Sequence, residues 1–538
     1  MRLNIHIAHR NNTRKRYRWT VEVIALFSGA ITSLSLAPLH LIPLSFGHAA
    51  ILVLVAEATS VRLAAWRAWL WAFGYQASGL HWISNAMLIN AKDDAWLIPF
   101  ANIGLPGILA LYAAIAGALA KLFFSNGWKL WIGLSAIYSS AEWLRGHALT
   151  GFPWNLPSAT IDGWLPLLQS ASVIGSYGLS LLVLLVTMLP ALWMDRTTAT
   201  QQKILTASIT CLLLILIIGW GILRIATIPK LTDPKGAVPG VVIKIVQGNV
   251  PQRDKWNPLL KPEHIKRYLR MSKRRRTDNI RALGLTCDYM PTVVVWPETA
   301  VAYLMNDTSN LMRELSLSTP HKGNLIFGAP YITKKANKYK LYNRIFALDS
   351  QANVVWTFDK THLVPFGEYI PLSRKLAINR IVQNKLDFTP GIGPLTMNLR
   401  SAPPVSLLVC YEAIFPGETV DPKHRPSWLL NLTNDAWFGC WSGPYQHLAI
   451  SRLRTIEQRL PMIRVANTGV SAVIDAAGRI VTSISVGITA SIDTPLPAAL
   501  PKPMFSKTGD IPFFIMVLSL LLIGNYQRFR TSRRRFIS

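Results

Sequence analysis

Three strand-like runs of the sequence end in side chains that together could catalyse acyl transfer. The runs begin near residues 292, 353 and 405, and the side chains at their ends are Glu298, Lys360 and Cys410. A thiol is a strong nucleophile once a neighbouring base takes its proton. A carboxylate can be that base, and a fixed cation stabilises the oxyanion of a tetrahedral intermediate. The trio predicts thioester chemistry, with Cys410 as nucleophile, Glu298 as base and Lys360 as oxyanion stabiliser.

The shared position at strand ends is the only argument from the residues that these side chains converge. Each one alone has a plainer interpretation: a packing cysteine, an exposed acid after a Trp-Pro turn, and a surface lysine. A Cys–His pairing is a rival arrangement, because His362 and His447 are also present. Neither histidine has an evident orienting partner in the sequence.

The remaining cysteines indicate neither a disulfide framework nor a metal site. The chain has four cysteines and no Cys-x-x-Cys or His–Cys spacing. Cys211 lies in an apolar run, where we expect it to be a packing residue. A Cys287–Cys440 disulfide is an alternative if the domain that carries them faces an oxidising compartment.

The composition favours a membrane protein. The chain is 51% hydrophobic and only 15% charged, with a formal net charge of +29. In a soluble protein this charge would suggest nucleic acid. Here much of it flanks apolar runs, at residues 14–18 and 533–535, with a further cluster at 273–276. Determinants of membrane topology, or contact with anionic lipid, are therefore favoured over nucleic acid.

Seven apolar segments near the length of a membrane span occupy the first part of the chain, and an eighth follows near the end. They lie at about 20–38, 41–58, 66–88, 97–122, 128–146, 165–193, 204–227 and 511–525. The sequence predicts a polytopic α-helical membrane protein of about eight transmembrane helices with an inserted α/β domain. Its parts are a basic N-terminus (1–19), a seven-helix membrane domain (20–230), a catalytic domain (238–500), an eighth helix (511–526) and a basic tail (527–538).

The distribution of positive charge predicts the orientation of these spans. Lysines and arginines are concentrated before the first segment and in alternate loops, at Arg62, Arg67, Lys121, Lys129, Arg196 and Lys203. The positive-inside rule places these regions, and both termini, in the cytoplasm. No short cleavable signal is evident, so the first apolar run is predicted to be a retained anchor. The catalytic domain then lies outside the cytoplasm.

The inserted domain alternates strand-like and helical patterns, which predicts a layered α/β domain with a mixed sheet. Strands are expected at 241–249, 292–298, 324–328, 342–350, 353–360, 405–410, 428–433, 462–466 and 471–480, and helices at about 259–282, 307–317 and 445–459. The stretch 475–478 is expected to supply the turn of the hairpin between the last two strands.

Two motifs stand out in the membrane part, at 141–147 and 150–155. Glu142 and Arg145 are costly near a bilayer, where charged groups are usually paired or functional. One interpretation is an interfacial anchor followed by a Gly-Pro turn. The other is a lipid-facing surface that shapes access to the outer domain.

Several stretches together resemble the carbon–nitrogen hydrolase (nitrilase) superfamily and, within it, the bacterial apolipoprotein N-acyltransferase family. They are the motifs at 296–300, 360–369, 409–413, 434–439, 443–447 and 464–469, with 142–146 and 150–154 in the membrane part. The resemblance extends over nearly the whole chain apart from the basic tails, and includes the order of seven spans, outer domain and final span.

This resemblance implies an αββα sandwich and assigns roles to individual residues. The triad would be Glu298, Lys360 and Cys410. Glu368 would be a second acid near the lysine, and Glu412 would support the site beside the cysteine. The remaining site residues would be Tyr411 and Trp437, at the acyl-binding wall or its covering loop, and Asn434.

The resemblance also implies the reaction and its partners. An acyl chain would pass from a membrane phospholipid to Cys410, and then to the α-amine of the diacylglyceryl-cysteine of an apolipoprotein. No metal, cofactor or nucleic acid is expected, and the protein would be a monomer of the bacterial inner membrane with its catalytic domain in the periplasm.

One departure and three alternatives remain open. Cys440 and Trp441 stand in the loop after Asn434, where small or polar residues are expected. This departure leaves open the acyl-chain preference or the mobility of the loop, and a redox pairing of Cys440 with Cys410 is a further alternative. The alternatives are a membrane-tethered amidase, a plasmid-transfer homologue with another substrate, and a scaffold with a degenerate triad.

Overall fold

The computed structural model describes residues 19–273, 290–305, 309–335, 338–371 and 386–537. Four features of the sequence lie outside the described residues: the basic cluster 14–18, residues 274–276 of the second cluster, Cys287 with its proposed disulfide, and the side chains of the basic tail.

Within the part of the chain that the structure describes, eight helical segments follow the order of the eight apolar segments of the sequence. They are Trp19–Ser35, Ile42–Ala56, Val61–Gly79, Ala91–Phe123, Trp128–His147, Ala171–Met194, Thr200–Thr227 and Ile511–Ile537. Among the described residues, three are both long and apolar enough to cross a membrane: Ala91–Phe123, Ala171–Met194 and Thr200–Thr227. The eight-span topology therefore stays a prediction.

Small residues bring the helices of the membrane part close together. Gly117 on one helix faces Ala68 and Ala64 on another, and an added Cβ at Gly117 would lie 2.7 Å from that of Ala68. Such small-residue contacts allow helix backbones to approach, which is the main route to helix packing in lipid. Around this contact lies a core with many aromatic side chains, among them Trp71 and Tyr75.

Two expectations for the membrane part are wrong. The helix predicted at 66–88 runs from Val61 to Gly79, because the Ser60 hydroxyl caps its start by accepting from the Leu63 amide at 3.2 Å. Arg67 is thus a buried helix residue that donates to the Leu54 carbonyl, and not a loop cation. Cys211, expected to be a packing residue, is exposed on its helix.

Among the described residues, the α/β domain at 237–497, called the outer domain because it lies outside the helical part, contains twelve strands. They are β1 (Ala237–Gln247), β2 (Val293–Val295), β3 (Asn324–Lys335), β4 (Lys338–Leu348), β5 (Val354–Asp359), β6 (Thr396–Met397), β7 (Val405–Val409), β8 (Trp428–Thr433), β9 (Met462–Ala466), β10 (Ser471–Ile474), β11 (Ile480–Ile484) and β12 (Ala490–Pro497). They form two six-stranded sheets, in the orders β12-β1-β2-β3-β4-β5 and β11-β10-β9-β8-β7-β6. Parallel pairs form the centre of each sheet, and antiparallel pairs flank them.

The two sheets stack face to face, and helices cover their outer faces. One buried apolar cluster draws on strands of both sheets. Helices Lys261–Lys273 and Ser309–Ser316 pack on the first sheet, and Ser442–Gln458 packs on the second. Because the central parallel strands are covered on both faces, they read in the sequence as continuous apolar runs. The αββα sandwich implied by the resemblance is the observed arrangement.

The predicted hairpin near the end of the domain has the wrong turn. Residues 475–478 join β10 to β11, where the Gly478 amide donates to the Asp475 carbonyl at 2.9 Å. The chain between β9 and β10 is instead residues 467–470, which carry Asn467 toward the start of the domain. An asparagine at a strand end was a weaker turn signal than Asp-Ala-Ala-Gly, so the sequence interpretation chose the wrong connection.

Candidate active site

The nucleophile candidate Cys410 lies directly after β7, at the start of the short 3-10 helix Cys410–Ile414. Its backbone φ is +51°, a left-handed conformation that is strained for a residue with a side chain. The Asn431 amide and the Nε2 atom of His447 hold its carbonyl, at 3.3 and 3.1 Å. The surrounding structure therefore fixes the thiol in a strained turn, and the side chain is only 6% exposed.

Glu298 and Lys360, as predicted, follow strand ends and lie together. The Lys360 ammonium is 4.0 Å from a carboxylate oxygen of Glu298 and 2.8 Å from one of Glu368. The side-chain amide of Asn343, on β4, donates to both carboxylates, at 2.7 and 3.0 Å. Gly328, in the neighbouring strand β3, lets the chain at Glu298 and Thr299 come close, since a Cβ at Gly328 would lie 2.6 Å from the Thr299 nitrogen.

Burial sets the electrostatics of the three groups. Burial, followed by the charge of Glu298, raises the pKa of the Cys410 thiol, and Lys360 and a hydrogen bond with Thr433 oppose that rise. Burial likewise raises the pKa of Glu298, which makes this carboxylate a better proton acceptor. Burial disfavours the charge of Lys360, but Glu368 and Glu298 outweigh it and raise its pKa, so the lysine stays a cation. These groups can therefore transfer a proton from the Cys410 thiol to the Glu298 carboxylate while Lys360 remains positively charged.

Glu412 ties the loop after Lys360 to the end of β7. One of its oxygens accepts from the backbone nitrogens of Thr361 and His362, at 2.6 and 3.0 Å. The other accepts from the Val409 nitrogen at 2.6 Å. This buried carboxylate therefore holds the segments that carry the lysine and the cysteine in a fixed relation.

The structure places the three remaining predicted site residues around this centre. Tyr411 is buried and donates its hydroxyl to the Gly151 carbonyl of the membrane part at 3.0 Å. Asn434 is buried and clamped between Gln252 and Asn467, at 2.8 and 3.0 Å. Trp437 lies half-buried in the short 3-10 helix that follows Asn434.

The rival Cys–His pairing does not place its histidine as a base for the thiol. His447 does have an orienting partner, contrary to the sequence expectation: its Nδ1 lies 2.9 Å from Asp435. Its Nε2, however, meets the backbone carbonyl of Cys410. Burial and then the Arg464 cation lower the pKa of His447, and the ring supports the Cys410 backbone through its contact with the carbonyl. His362 meets Thr150 and Phe415 instead.

Ligand atoms of Cys410, Asp435 and His447 lie within 4.8 Å of one another, and such a set could hold a metal ion. The Asp435 carboxylate, however, already accepts from Arg464 at 2.7 Å and from Thr433 at 2.8 Å. A guanidinium in contact with a ligand oxygen repels a second cation, so these residues do not fit a metal centre.

The paired charges of the membrane part are buried rather than lipid-facing. Glu142 and Arg145 are each 2% exposed and form an ion pair with each other. Arg145 also donates to the Phe152 carbonyl. This bond holds the loop whose Gly151 carbonyl accepts from the Tyr411 hydroxyl. The interpretation of a lipid-facing surface is therefore wrong for these residues, because their charges are satisfied inside the protein.

Sequence reasoning missed two residues of the site. Asn343 bridges both acids from the middle of β4. Lys255 lies in the loop after β1, where its ammonium donates to the Glu298 backbone carbonyl at 3.2 Å. Asn343 lies inside a strand and Lys255 lies well beyond the end of β1, so a search for reactive side chains directly after strands could not reveal them.

Comparison with known proteins defines first a class and then a family. The family model described as carbon-nitrogen hydrolase matches residues 283–492, and the model described as apolipoprotein N-acyltransferase N-terminal domain matches residues 28–189. Among solved structures, an amidase from Nesterenkonia sp. AN1 is similar over 52% of this chain and 98% of its own, with 14% identity and a TM-score of 0.34. The family-model match identifies the outer domain as a carbon–nitrogen hydrolase domain.

Curated relatives match nearly the full length of the chain. Apolipoprotein N-acyltransferase of Rhodopseudomonas palustris is 36% identical over 520 residues, covering 94% of this chain and 95% of the relative. That of Brucella melitensis is 32% identical over 539 residues, covering 96% and 97%. The chain belongs to the apolipoprotein N-acyltransferase family, and it is an acyltransferase.

Proposed function

We propose that this enzyme transfers an acyl chain from a membrane phospholipid, through a thioester on Cys410, to the α-amine of the N-terminal diacylglyceryl-cysteine of apolipoproteins. The acceptor class is taken from the names of the relatives. The observation that carries the mechanism is the convergence of Cys410, Glu298 and Lys360 beside the membrane part. No cofactor is required by this chemistry.

In the first half-reaction, Glu298 takes the proton of the Cys410 thiol, and the thiolate attacks the ester carbonyl of the phospholipid. Lys360 stabilises the resulting oxyanion. The carbon–oxygen bond to the lysophospholipid then breaks, and Glu298 returns its proton to the leaving oxygen. The product is a thioester on Cys410.

In the second half-reaction, the neutral α-amine of the acceptor attacks the thioester carbonyl. Glu298 removes a proton from the nitrogen as the carbon–sulfur bond breaks, and the Cys410 thiolate regains that proton. An amide remains on the acceptor. Glu368 and Asn343 act by positioning Lys360 and Glu298, while Tyr411 and Trp437 border the acyl chain.

The proposed topology brings the site to its lipid substrates. The membrane domain (20–230) and the helix 511–526 supply eight spans, the domain 238–500 faces the periplasm, and both termini lie in the cytoplasm. A donor and an acceptor that both remain in the bilayer can then reach Cys410 without extraction. We also propose that the enzyme acts as a monomer, since all three triad residues come from one chain.

Intact-mass analysis of the purified enzyme in phospholipid micelles, without acceptor, tests the thioester. We expect an acyl-sized adduct that hydroxylamine removes, that is absent in Cys410→Ala, and that persists in the control Cys440→Ser. A diacylglyceryl peptide should discharge it. Folded protein that forms no adduct, but hydrolyses a small soluble amide, would instead indicate a membrane-tethered amidase.

Cysteine labelling of whole cells tests the orientation. A variant that retains Cys440 alone should react with a membrane-impermeant maleimide, because this thiol is exposed on the outer domain. A variant with a single cysteine in the basic tail should react only after the membrane is permeabilised. The reverse pattern would overturn the proposed orientation.

A further inference from the structure

Lys255 is a buried lysine of the site. Its side chain is 2% exposed, and its ammonium donates to the backbone carbonyl of Glu298 at 3.2 Å. Within the described part of the chain, no carboxylate lies within ion-pair distance of it. An ammonium without such a partner is costly to bury, so a neighbouring group that becomes negative would be strongly stabilised by it.

The loop that carries Lys255 is anchored to the second sheet. The Asn467 amide donates to the Val250 carbonyl at 2.7 Å, and the Val250 nitrogen donates to the Asn467 side-chain oxygen at 3.0 Å. Gln252 accepts from Asn434 at 2.8 Å. These contacts join the loop after β1 to the ends of β8 and β9. Lys255 therefore occupies a fixed place beside the triad.

The two lysines of the site differ in how their charge is balanced. Lys360 has Glu368 and Glu298 as neighbours and stays positive. Burial lowers the pKa of Lys255 to about 8, against the opposing influence of Glu298 and Cys410. The second lysine is thus close enough for the charges of both reacting groups to act on it.

We propose that Lys255 is a positioning residue that holds the Glu298 segment through its carbonyl and, as a second cation, stabilises the Cys410 thiolate during acylation. The inference rests on the proposed thioester route. When the thiol proton moves to Glu298, one negative charge passes from the carboxylate to the sulfur. Lys360 remains paired with Glu368 and stabilises the oxyanion, whereas Lys255 forms no ion pair within the described residues and can stabilise the new charge on the sulfur.

This role predicts a distinctive pH dependence of the donor half-reaction. The charged and titratable groups near Lys255 are Glu298, Cys410 and His264, with Asp254 beside it in the chain. Burial raises the pKa of Glu298 and Cys410 and lowers that of His264. Loss of the Lys255 cation should therefore slow acylation as the pH rises past about 8. The acceptor is omitted because its amine also titrates and would change the pH profile.

The test compares Lys255→Met, Lys255→Arg and the exposed control Lys266→Met, each in a Cys440→Ser background. Acyl-adduct formation from phospholipid should be about tenfold slower in Lys255→Met at neutral pH, as expected for the loss of one nearby charge in a partly screened site. Lys255→Arg should retain most of the rate and lose the alkaline decline, because arginine stays charged. The control should match the parent.

Alkylation of Cys410 by iodoacetamide provides a measurement that needs no lipid. We expect Lys255→Met to lower the alkylation rate at neutral pH and Lys255→Arg to restore it. If alkylation follows this order but no acyl adduct forms in the parent, the proposed function fails and the role of Lys255 stands. Equal alkylation rates in all variants, or an unchanged alkaline decline in Lys255→Arg, would overturn the inference.

Discussion

Glu368→Gln tests whether Glu368 keeps Lys360 from pairing directly with Glu298, the proposed base. In the structure the Lys360 ammonium is 2.8 Å from Glu368 and 4.0 Å from Glu298. Without the charge of Glu368, the ammonium should move to direct contact with Glu298. Glu298 would then be a weaker proton acceptor for the Cys410 thiol.

The size of the effect follows from these distances. Closing the Lys360–Glu298 separation from 4.0 Å to about 2.8 Å strengthens their attraction by about 1.8 kcal/mol at an effective dielectric constant of about 20. A closer cation favours the charged carboxylate, so this change lowers the pKa of Glu298. Loss of the Glu368 charge acts in the same direction, since that charge raises the pKa of Glu298. The plateau rate of Cys410 acylation should fall at least about twentyfold.

The assay is the rate of acyl-adduct formation by intact mass as a function of pH, without acceptor. A lower pKa of Glu298 means that the base stays ionised to lower pH, so the acid limb of the profile should shift downward while the plateau falls. Glu263→Gln is the matched control, because that glutamate is exposed and pairs with Arg270 away from the site. An unshifted acid limb, or an unchanged plateau, would refute the reasoning.

Three further predictions concern the support of the site. Arg464→Met should lower the free energy of unfolding by about 3–5 kcal/mol, measured by denaturant in micelles with Arg270→Met as control, because it leaves the fully buried Asp435 unpaired. Although burial opposes it, Arg464 and His447 lower the pKa of Asp435 to about 2; its stabilisation is present above the unfolded value of about 3.9 and lost as the pH falls toward 2. The melting temperature should therefore drop over that range, and less so in Asp435→Asn. Gln446→Leu should cost about 2–4 kcal/mol in thermal unfolding, because two buried indole nitrogens, of Trp82 and Trp154, lose their acceptor; an unchanged melting temperature would contradict this.

The sequence predicted the triad because its members obey a rule that is visible along the chain. Glu298, Lys360 and Cys410 each follow an apolar run, and parallel or mixed sheets gather strand ends on one side. That rule carries no information about residues inside strands or in long loops. Asn343 lies within β4, where the pairing register decides which way its side chain points.

Lys255 was hidden for a different reason. Nothing near it in the sequence distinguishes a buried lysine from a solvated one in a basic chain. Its burial arises from Asn467 and Asn434, which are more than a hundred residues distant and tie its loop down. Such long-range hydrogen bonds between loops depend on the finished sandwich, so local pattern reasoning cannot supply them.

The contacts between the two parts of the molecule explain why the site is fixed beside the membrane domain. Two residues of the outer-domain helix Ser442–Gln458 accept hydrogen bonds from the membrane part. Gln446 accepts from the indole nitrogens of Trp82 and Trp154. Glu457 accepts from the backbone nitrogen of Ser176 at 2.9 Å. Each contact buries polar atoms that would be costly without a partner. The same helix carries His447, which contacts the carbonyl of Cys410. Docking onto the membrane part and positioning of the Cys410 backbone therefore depend on adjacent residues of one helix.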